Sequence, residues 1–266
     1  MEILKQLINL PIVVLLNNST TMIEKQDYSR YTDEDRQVWQ LLFDRQMALL
    51  PGLASSAYME GITKVGFRRD KIPHFDEVNE ALARHTGWQL AVVPGLIDNK
   101  PFFELLLNKK FPATTWFRKL AELDYLEEPD MFHDVFGHVP LLTNEDFCSF
   151  LSGLSNIALE HIENEWAIEL ISRLYWYTVE FGLINDATEG LRIYGAGILS
   201  SSGESVYCLG EQPLRVPFDV EDIINTPYIK DKFQEKYFVI DSYRQLYDSL
   251  PEVARIIKKY VSVSVA

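Results

Sequence analysis

His133 and His138 stand five residues apart in EPDMFHDVFGHVPLL, Glu128 to Leu142, so a short stretch carries two of the five histidines in the chain. A neutral imidazole is a metal ligand as well as a proton carrier, and such a pair calls for a third, anionic ligand. The strongest candidate is Glu180 in YWYTVEFGL, Tyr175 to Leu183, where a carboxylate falls among Tyr175, Trp176, Val179 and Phe181. An ionised carboxylate in that company loses much of its solvation unless a cation, a metal or hydrogen-bond donors face it. Glu180 is therefore either paired inward or displaced onto the polar stripe of an amphipathic helix. Two neutral histidines and one carboxylate leave coordination positions open, the arrangement that suits non-haem Fe(II) and O2. The same set can hold zinc with one water. A zinc hydrolase of the H-E-x-x-H type carries its glutamate directly after the first histidine, whereas here Asp134 follows His133 and the spacing differs.

The punctuation around the histidines sets how they can meet. Pro129 suits a first helical turn and Asp130 supplies the negative charge a helix N-terminus favours. Gly137 and Pro140 end the helix, so about two turns are expected from Asp130 to Phe136. On an unbroken α-helix five residues separate two rings by roughly 140°, too far for one ion. A left-handed break at Gly137 is the expected device that swings His138 back.

Around this stretch the periodicity is mostly helical. Thr32 before Asp33, Glu34 and Asp35 reads as an N-terminal cap, and Trp39, Leu42, Phe43, Met47 and Leu50 follow at helical spacing until Pro51-Gly52. Phe75, Val78 and Leu82 mark a second helix, QLAVV (Gln89 to Val93) a short buried strand, and Pro101 to Leu107 a further helix. Phe111 to Arg118 is β-prone. Asn144 to Phe181 is helical with at most one break near His161 to Asn164. LRIYGAG and SVYCLG read as short β-prone pieces, followed by a helix near Val220 to Ile224, a YFVI strand and two terminal helices. The expected class is α+β, mainly helical, with a few short strands and no βαβ alternation. His74, His85 and His161 have no partner motif and read as surface or capping residues. Cys208 reads as a small buried hydrophobe.

A chain of 266 residues with 47% hydrophobic composition can bury one large core. A balance of 25 basic against 39 acidic residues, net −14, repels phosphate backbones and anionic membrane surfaces. Two cysteines, Cys148 and Cys208, with no C-x-x-C pair, exclude a disulfide framework and a thiolate cage and point to the cytoplasm. The apolar run Leu7 to Leu16, interrupted by Asn9 and Pro11, is too short to span a membrane and has no cleavage site after it. Residues 1–26 are read as a mobile extension, with Met22 an alternative start, and 27–266 as a single catalytic domain.

EPDMFHDVFGHVPLL, YWYTVEFGL and YGAGILSS (Tyr194 to Ser201), in that order, resemble the catalytic domain of the pterin-dependent aromatic amino acid hydroxylases, and within them the short bacterial branch that acts on phenylalanine. The likeness extends from about Asp27 to Asp248 through KFPATTWFR, AELDYLEEPD, YCLGEQP and YFVIDSYRQL. It implies the aromatic amino acid hydroxylase fold and a monooxygenase that uses Fe(II), tetrahydrobiopterin or a related tetrahydropterin, and O2. L-phenylalanine is the implied substrate and L-tyrosine the product, with tryptophan or tyrosine as alternative substrates within the family. It assigns the iron ligands and catalytic centre to His133, His138 and Glu180. Phe102 and Tyr175 are implied beside the pterin, with backbone groups of Gly95 and Ile97 on its ring and Asp134 reaching it through water. Asp134 is a departure from the animal enzymes, which have glutamate there. Arg118 is implied to hold the substrate carboxylate, Trp176 and Phe181 its ring, and Ser200 to lie near its polar end. A threonine hydroxyl that reaches the substrate in animal enzymes is replaced here by Leu126. The resemblance also implies a monomer, and the charge balance implies no nucleic-acid or membrane partner. Both histidines precede the carboxylate, the reverse of the usual order in 2-oxoglutarate enzymes, which favours a pterin as the electron donor.

Overall fold

The computed structural model describes residues 25–124, 128–230 and 232–263. Thr32 caps helix α1 (Asp33–Leu49) as its spacing suggests: its Oγ1 accepts from the Asp35 N–H at 3.2 Å, and the Asp35 carboxylate accepts the Thr32 N–H at 2.8 Å. The buried face of α1 carries Val38, Trp39, Leu42, Phe43 and Gln46. Helices α2 (Ser56–Val65) and α3 (Phe75–Ala83) follow, capped by Ser55 and by the ring of His74. His161 is the C-cap of a later helix and His85 is exposed, so these three histidines are surface or capping residues.

Strand β1 (Gln89–Val92), helix α4 (Asn99–Leu107) and strand β2 (Lys110–Ala113) form a parallel pair joined through a helix, in the register Gln89 to Lys110 and Val92 to Ala113. The sequence reading of no βαβ alternation is corrected here. β1 and β2 are each four residues long, and only the first stood out as an apolar run between turn signals. The correction matters for function, because crevices at the carboxyl ends of parallel strands are where ligands bind. The segments leaving these two ends carry Gly95, Ile97, Thr114 and Arg118.

Helices α5 (Glu145–Glu160) and α6 (Glu165–Tyr175) are capped by Asn144 and Asn164, whose Oδ1 atoms each accept a backbone N–H at 3.0 Å. Beyond them come β3 (Leu183–Asp186), β4 (Gly190–Ile193), α7 (Ala196–Leu199), α8 (Ser202–Tyr207), β5 (Leu214–Pro217), α9 (Val220–Asn225), β6 (Lys236–Ile240), α10 (Tyr243–Asp248) and α11 (Leu250–Val263). The four strands run in the order β4-β3-β6-β5; β3 and β4 are antiparallel, and β6 is parallel to both β3 and β5. SVYCLG, read as β-prone, is instead the end of α8 and the turn after it: the Ser201 hydroxyl caps the helix by accepting the Glu204 N–H at 3.3 Å, and Glu204 and Ser205 are the residues it buries. Cys208 closes that helix fully buried, as expected. The class is mainly helical α+β.

The core reaches the histidine segment through aromatic rings. Phe132 and Phe136 stack with centroids 4.6 Å apart and planes at 10°, and Trp39 of α1 meets both edge-on. Tyr58 of α2 donates its hydroxyl to the Phe136 carbonyl at 2.8 Å. These contacts anchor one side of the segment and leave His133 to face the other way, 19% exposed.

Candidate active site

His133 and His138 are brought together by a π-helix over Phe132–His138, continued by a 3₁₀ turn over Val139–Thr143. This corrects the expected two α-helical turns and the expected break at Gly137. Gly137 is not among the glycines with positive φ, and it lies inside the helix. The i→i+5 bonding of a π-helix lays residues five apart nearly one above the other, so the spacing that is wrong for an α-helix is right for this one. Gly137 is needed for another reason: a Cβ there would lie 2.9 Å from the Ala196 carbonyl oxygen of α7. Single-sequence periodicity has no template for a π-turn, which is why the device was not legible.

Glu180 is delivered the same way. α6 passes into a second π-helix, Trp176–Glu180, closed by the Phe181 N–H donating to the Trp176 carbonyl at 2.8 Å. The extra residue in that turn rotates Glu180 off the polar stripe and into the interior, where its side chain is 14% exposed. Gly195 permits the approach of the following chain, because a Cβ there would collide with the Glu180 carbonyl. The donor atoms then form a triangle: His138 Nε2 to His133 Nε2 3.2 Å, His138 Nε2 to Glu180 Oε1 3.3 Å, and His133 Nε2 to Glu180 Oε2 3.5 Å. Ligand atoms about 2.0–2.2 Å from one ion and roughly at right angles lie about 3 Å apart, so the triangle fits one metal ion.

The electrostatics agree with a cation at that point. Burial holds the His133 ring down at about 4, against the pull of Glu180, so it stays neutral with a free lone pair. Its Nδ1 lies 3.0 Å from Ser200 Oγ, and that hydroxyl donates to the Ala196 carbonyl at 2.8 Å. The serine can therefore only accept from His133, which places the proton on Nδ1 and turns the bare Nε2 to the triangle. Burial raises the Glu180 carboxyl, but the facing His138 and His133 more than offset it and hold it below the usual glutamate value. Two imidazole nitrogens and a carboxylate converging at 3.2–3.5 Å form a donor set that one cation can bridge.

The triangle opens onto a cavity of about 630 Å³. Arg118 is on its wall, buried rather than on the surface: Nε and Nη2 donate to the two oxygens of Asp130 at 2.9 and 3.0 Å, and Nη1 reaches the Leu123 carbonyl at 3.4 Å. Asp130 also accepts the backbone N–H of Arg118 at 2.9 Å and of His133 at 3.2 Å. Sequence reasoning gave Asp130 only a helix-end charge and missed this role; the signal was an acidic residue three before a ligand histidine and twelve after an arginine, meaningful only once the loop is folded. Leu126 lies outside the described residues.

Gly95, Ile97, Phe102, Asp134 and Tyr175 all line the same cavity. Phe102 and Tyr175 meet edge to face with centroids 5.5 Å apart and planes at 75°. The Asp134 carboxylate accepts from Thr114 N–H at 2.8 Å and Thr114 Oγ1 at 2.9 Å, and burial raises its pKa to about 6 despite those bonds. Trp176, also lining the cavity, lies 4.6 Å from Phe181 and 4.6 Å from Tyr228, and its indole N–H donates to Gln234 Oε1 at 3.0 Å. Tyr228 and Gln234 lie between the α9 helix and β6, in a stretch whose sequence carries no motif that singles them out. Ser200, expected near the substrate's polar end, lies on the wall with its hydroxyl engaged by His133 and Ala196.

A triad of two histidines and one glutamate, beside an aromatic-walled cavity with a paired arginine, defines a site of the metal-dependent oxygenase type. Residues 20–265 match the model of the biopterin-dependent aromatic amino acid hydroxylases, and the chain belongs to that family. It is 50% identical over 226 residues to the phenylalanine-4-hydroxylase of Ralstonia nicotianae, covering 85% of this chain and 72% of that one. Among solved structures, phenylalanine hydroxylase from Chromobacterium violaceum with bound iron(III) and oxidised cofactor 7,8-dihydrobiopterin superposes with a TM-score of 0.85 at 46% identity, over 92% of this chain and 87% of the other. The same enzyme with bound oxidised Fe(III) gives a TM-score of 0.86 at 46% identity, over 90% and 87%.

Proposed function

We propose that this chain is a phenylalanine 4-monooxygenase that hydroxylates L-phenylalanine to L-tyrosine with O2 and a tetrahydropterin at a non-haem Fe(II). The observation that carries the reading is the 3.2–3.5 Å triangle of His133, His138 and Glu180 facing the cavity that Arg118 and Trp176 also line. The family supports the pterin, and the phenylalanine hydroxylases it resembles support the substrate. The iron, when bound by His133, His138 and Glu180, supplies the activation of O2, with electrons from the pterin.

The chain's own residues do the rest. Arg118, held by Asp130, presents its remaining N–H groups to the substrate carboxylate, for which a guanidinium is geometrically suited. Trp176 and Phe181, with Tyr228 behind, wall off a dry slot for the substrate ring. Phe102 and Tyr175 offer aromatic surface to the pterin, the Gly95 to Ile97 loop offers backbone groups, and Asp134 bounds it from the side of the metal. Ser200 acts on the orientation of His133, since its hydroxyl is already committed there. Residues 27–266 act as one catalytic domain. The enzyme works as a cytoplasmic monomer without nucleic-acid or membrane partners; the net charge of −14 supports the absence of polyanionic partners, and the two free, buried cysteines support the cytoplasm. Among the described residues no helix is long and apolar enough to cross a membrane.

The test is a comparison of substrates. Iron-loaded protein with a tetrahydropterin and O2 is offered phenylalanine, tyrosine and tryptophan separately, and products are identified by mass. Tyrosine from phenylalanine as the fastest reaction supports the proposal; faster turnover of either other amino acid overturns the assigned substrate.

A further inference from the structure

Trp176 is held on three sides. Tyr228 stacks on it with planes at 21°, Phe181 lies against it at 35°, and its N–H is bound by Gln234. Gln234 is itself pinned from both ends and only 4% exposed. Its side-chain amide donates to the carbonyls of Ile229 at 2.8 Å and Lys232 at 3.3 Å. Its backbone N–H donates at 3.1 Å to Glu204 Oε1, an oxygen that the Tyr237 hydroxyl also binds.

The two stacking rings fix the tilt of the indole but not which way round it faces, because the outer torsion of a tryptophan side chain is broad. The hydrogen bond selects one orientation. Turned over, the indole would leave both its own N–H and the Gln234 acceptor unpaired in a part-buried place, and would exchange the two edges of its bicycle at the cavity it lines. We infer that Gln234 is a positioning residue for substrate selection: by holding the Trp176 N–H it fixes the width of the aromatic slot and favours a single phenyl ring over a bicyclic indole. This rests on the proposed function in that the slot is taken to receive the amino-acid side chain.

The test uses Gln234→Met, which keeps length and removes the amide. Dissociation constants for phenylalanine and tryptophan are measured by titration calorimetry on the iron-loaded protein, so that the readout does not depend on turnover. The preference for phenylalanine over tryptophan is expected to fall about fivefold or more, a loss typical of a loosened apolar slot. Iron content and tetrahydropterin affinity are expected to stay within about twofold. In a Trp176→Phe background the same substitution should change the preference by less than about twofold, because the N–H it serves is gone. A Gln234 that merely braced the loop around Ile229 would shift both backgrounds alike, and that result, or an unchanged preference in the native background, overturns the inference. If Gln234→Met does not fold, Gln234→Glu keeps an acceptor for the indole and gives up the loop donors; retention of the phenylalanine preference supports the inference and its loss overturns it. Wild-type protein that binds phenylalanine selectively but forms no tyrosine would overturn the proposed function and leave this inference standing.

Discussion

Asp130 grips Arg118 through both oxygens and, from the same carboxylate, caps the backbone of His133, so one buried side chain ties the cavity-lining arginine to the segment that carries the histidine pair. Removing it leaves a guanidinium buried and unpaired, which costs about 3–5 kcal/mol. Asp130→Ala and Arg118→Ala are therefore both expected to raise the phenylalanine KM roughly tenfold or more, and Asp130→Ala to lower the melting temperature as well. Steady-state kinetics with phenylalanine and pterin varied in turn check this. A phenylalanine KM within about twofold of wild type in both variants would remove the pair from substrate binding.

His133→Ala, His138→Ala and Glu180→Ala should each lose iron retention or turnover, because a three-ligand site that loses one member loses its geometry. Metal analysis after gel filtration is the measurement. Stoichiometric iron with full activity in any one of them would exclude that residue from the set. Ser200→Ala should be milder, since it frees the His133 ring without deleting a ligand.

The chemistry was more legible than the geometry that produces it. His133, His138 and Glu180 stood out because two clustered histidines and a carboxylate in an aromatic run are chemically conspicuous, and caps such as Thr32 and Asn144 are local signals. The π-helices were not legible, since a π-turn appears in sequence only as a spacing that fails to fit. Asp130, Tyr228 and Gln234 act across folded distance, on partners 12, 52 and 58 residues away, and no local pattern announces that. SVYCLG reads as β-prone when propensity is weighed without the Ser201 cap that starts α8.

Phe102→Ala should raise the tetrahydropterin KM by roughly tenfold, the loss of an aromatic face and its burial. The phenylalanine KM should stay within about twofold. The reverse pattern would assign Phe102 to the amino-acid side of the cavity.

Cys148 and Cys208 are both buried, and burial pushes each thiol up to about 12. At pH 8 the thiolate is then about one part in ten thousand, so neither should react with a thiol reagent in the native protein. Titration should count no fast thiols before denaturant and two after. A thiol that reacts rapidly in the native state would show that its surroundings open far more than the packing here allows.

The central claim is that an iron held by His133, His138 and Glu180 places one atom of O2 on the ring of phenylalanine at the expense of a tetrahydropterin. Its most direct test is a turnover experiment under ¹⁸O2 with iron-loaded protein, run once with a tetrahydropterin and once with 2-oxoglutarate. The account predicts tyrosine carrying one labelled oxygen in the pterin arm and none in the other. Unlabelled or absent tyrosine with the pterin, or labelled product formed with release of succinate in the 2-oxoglutarate arm, would contradict it.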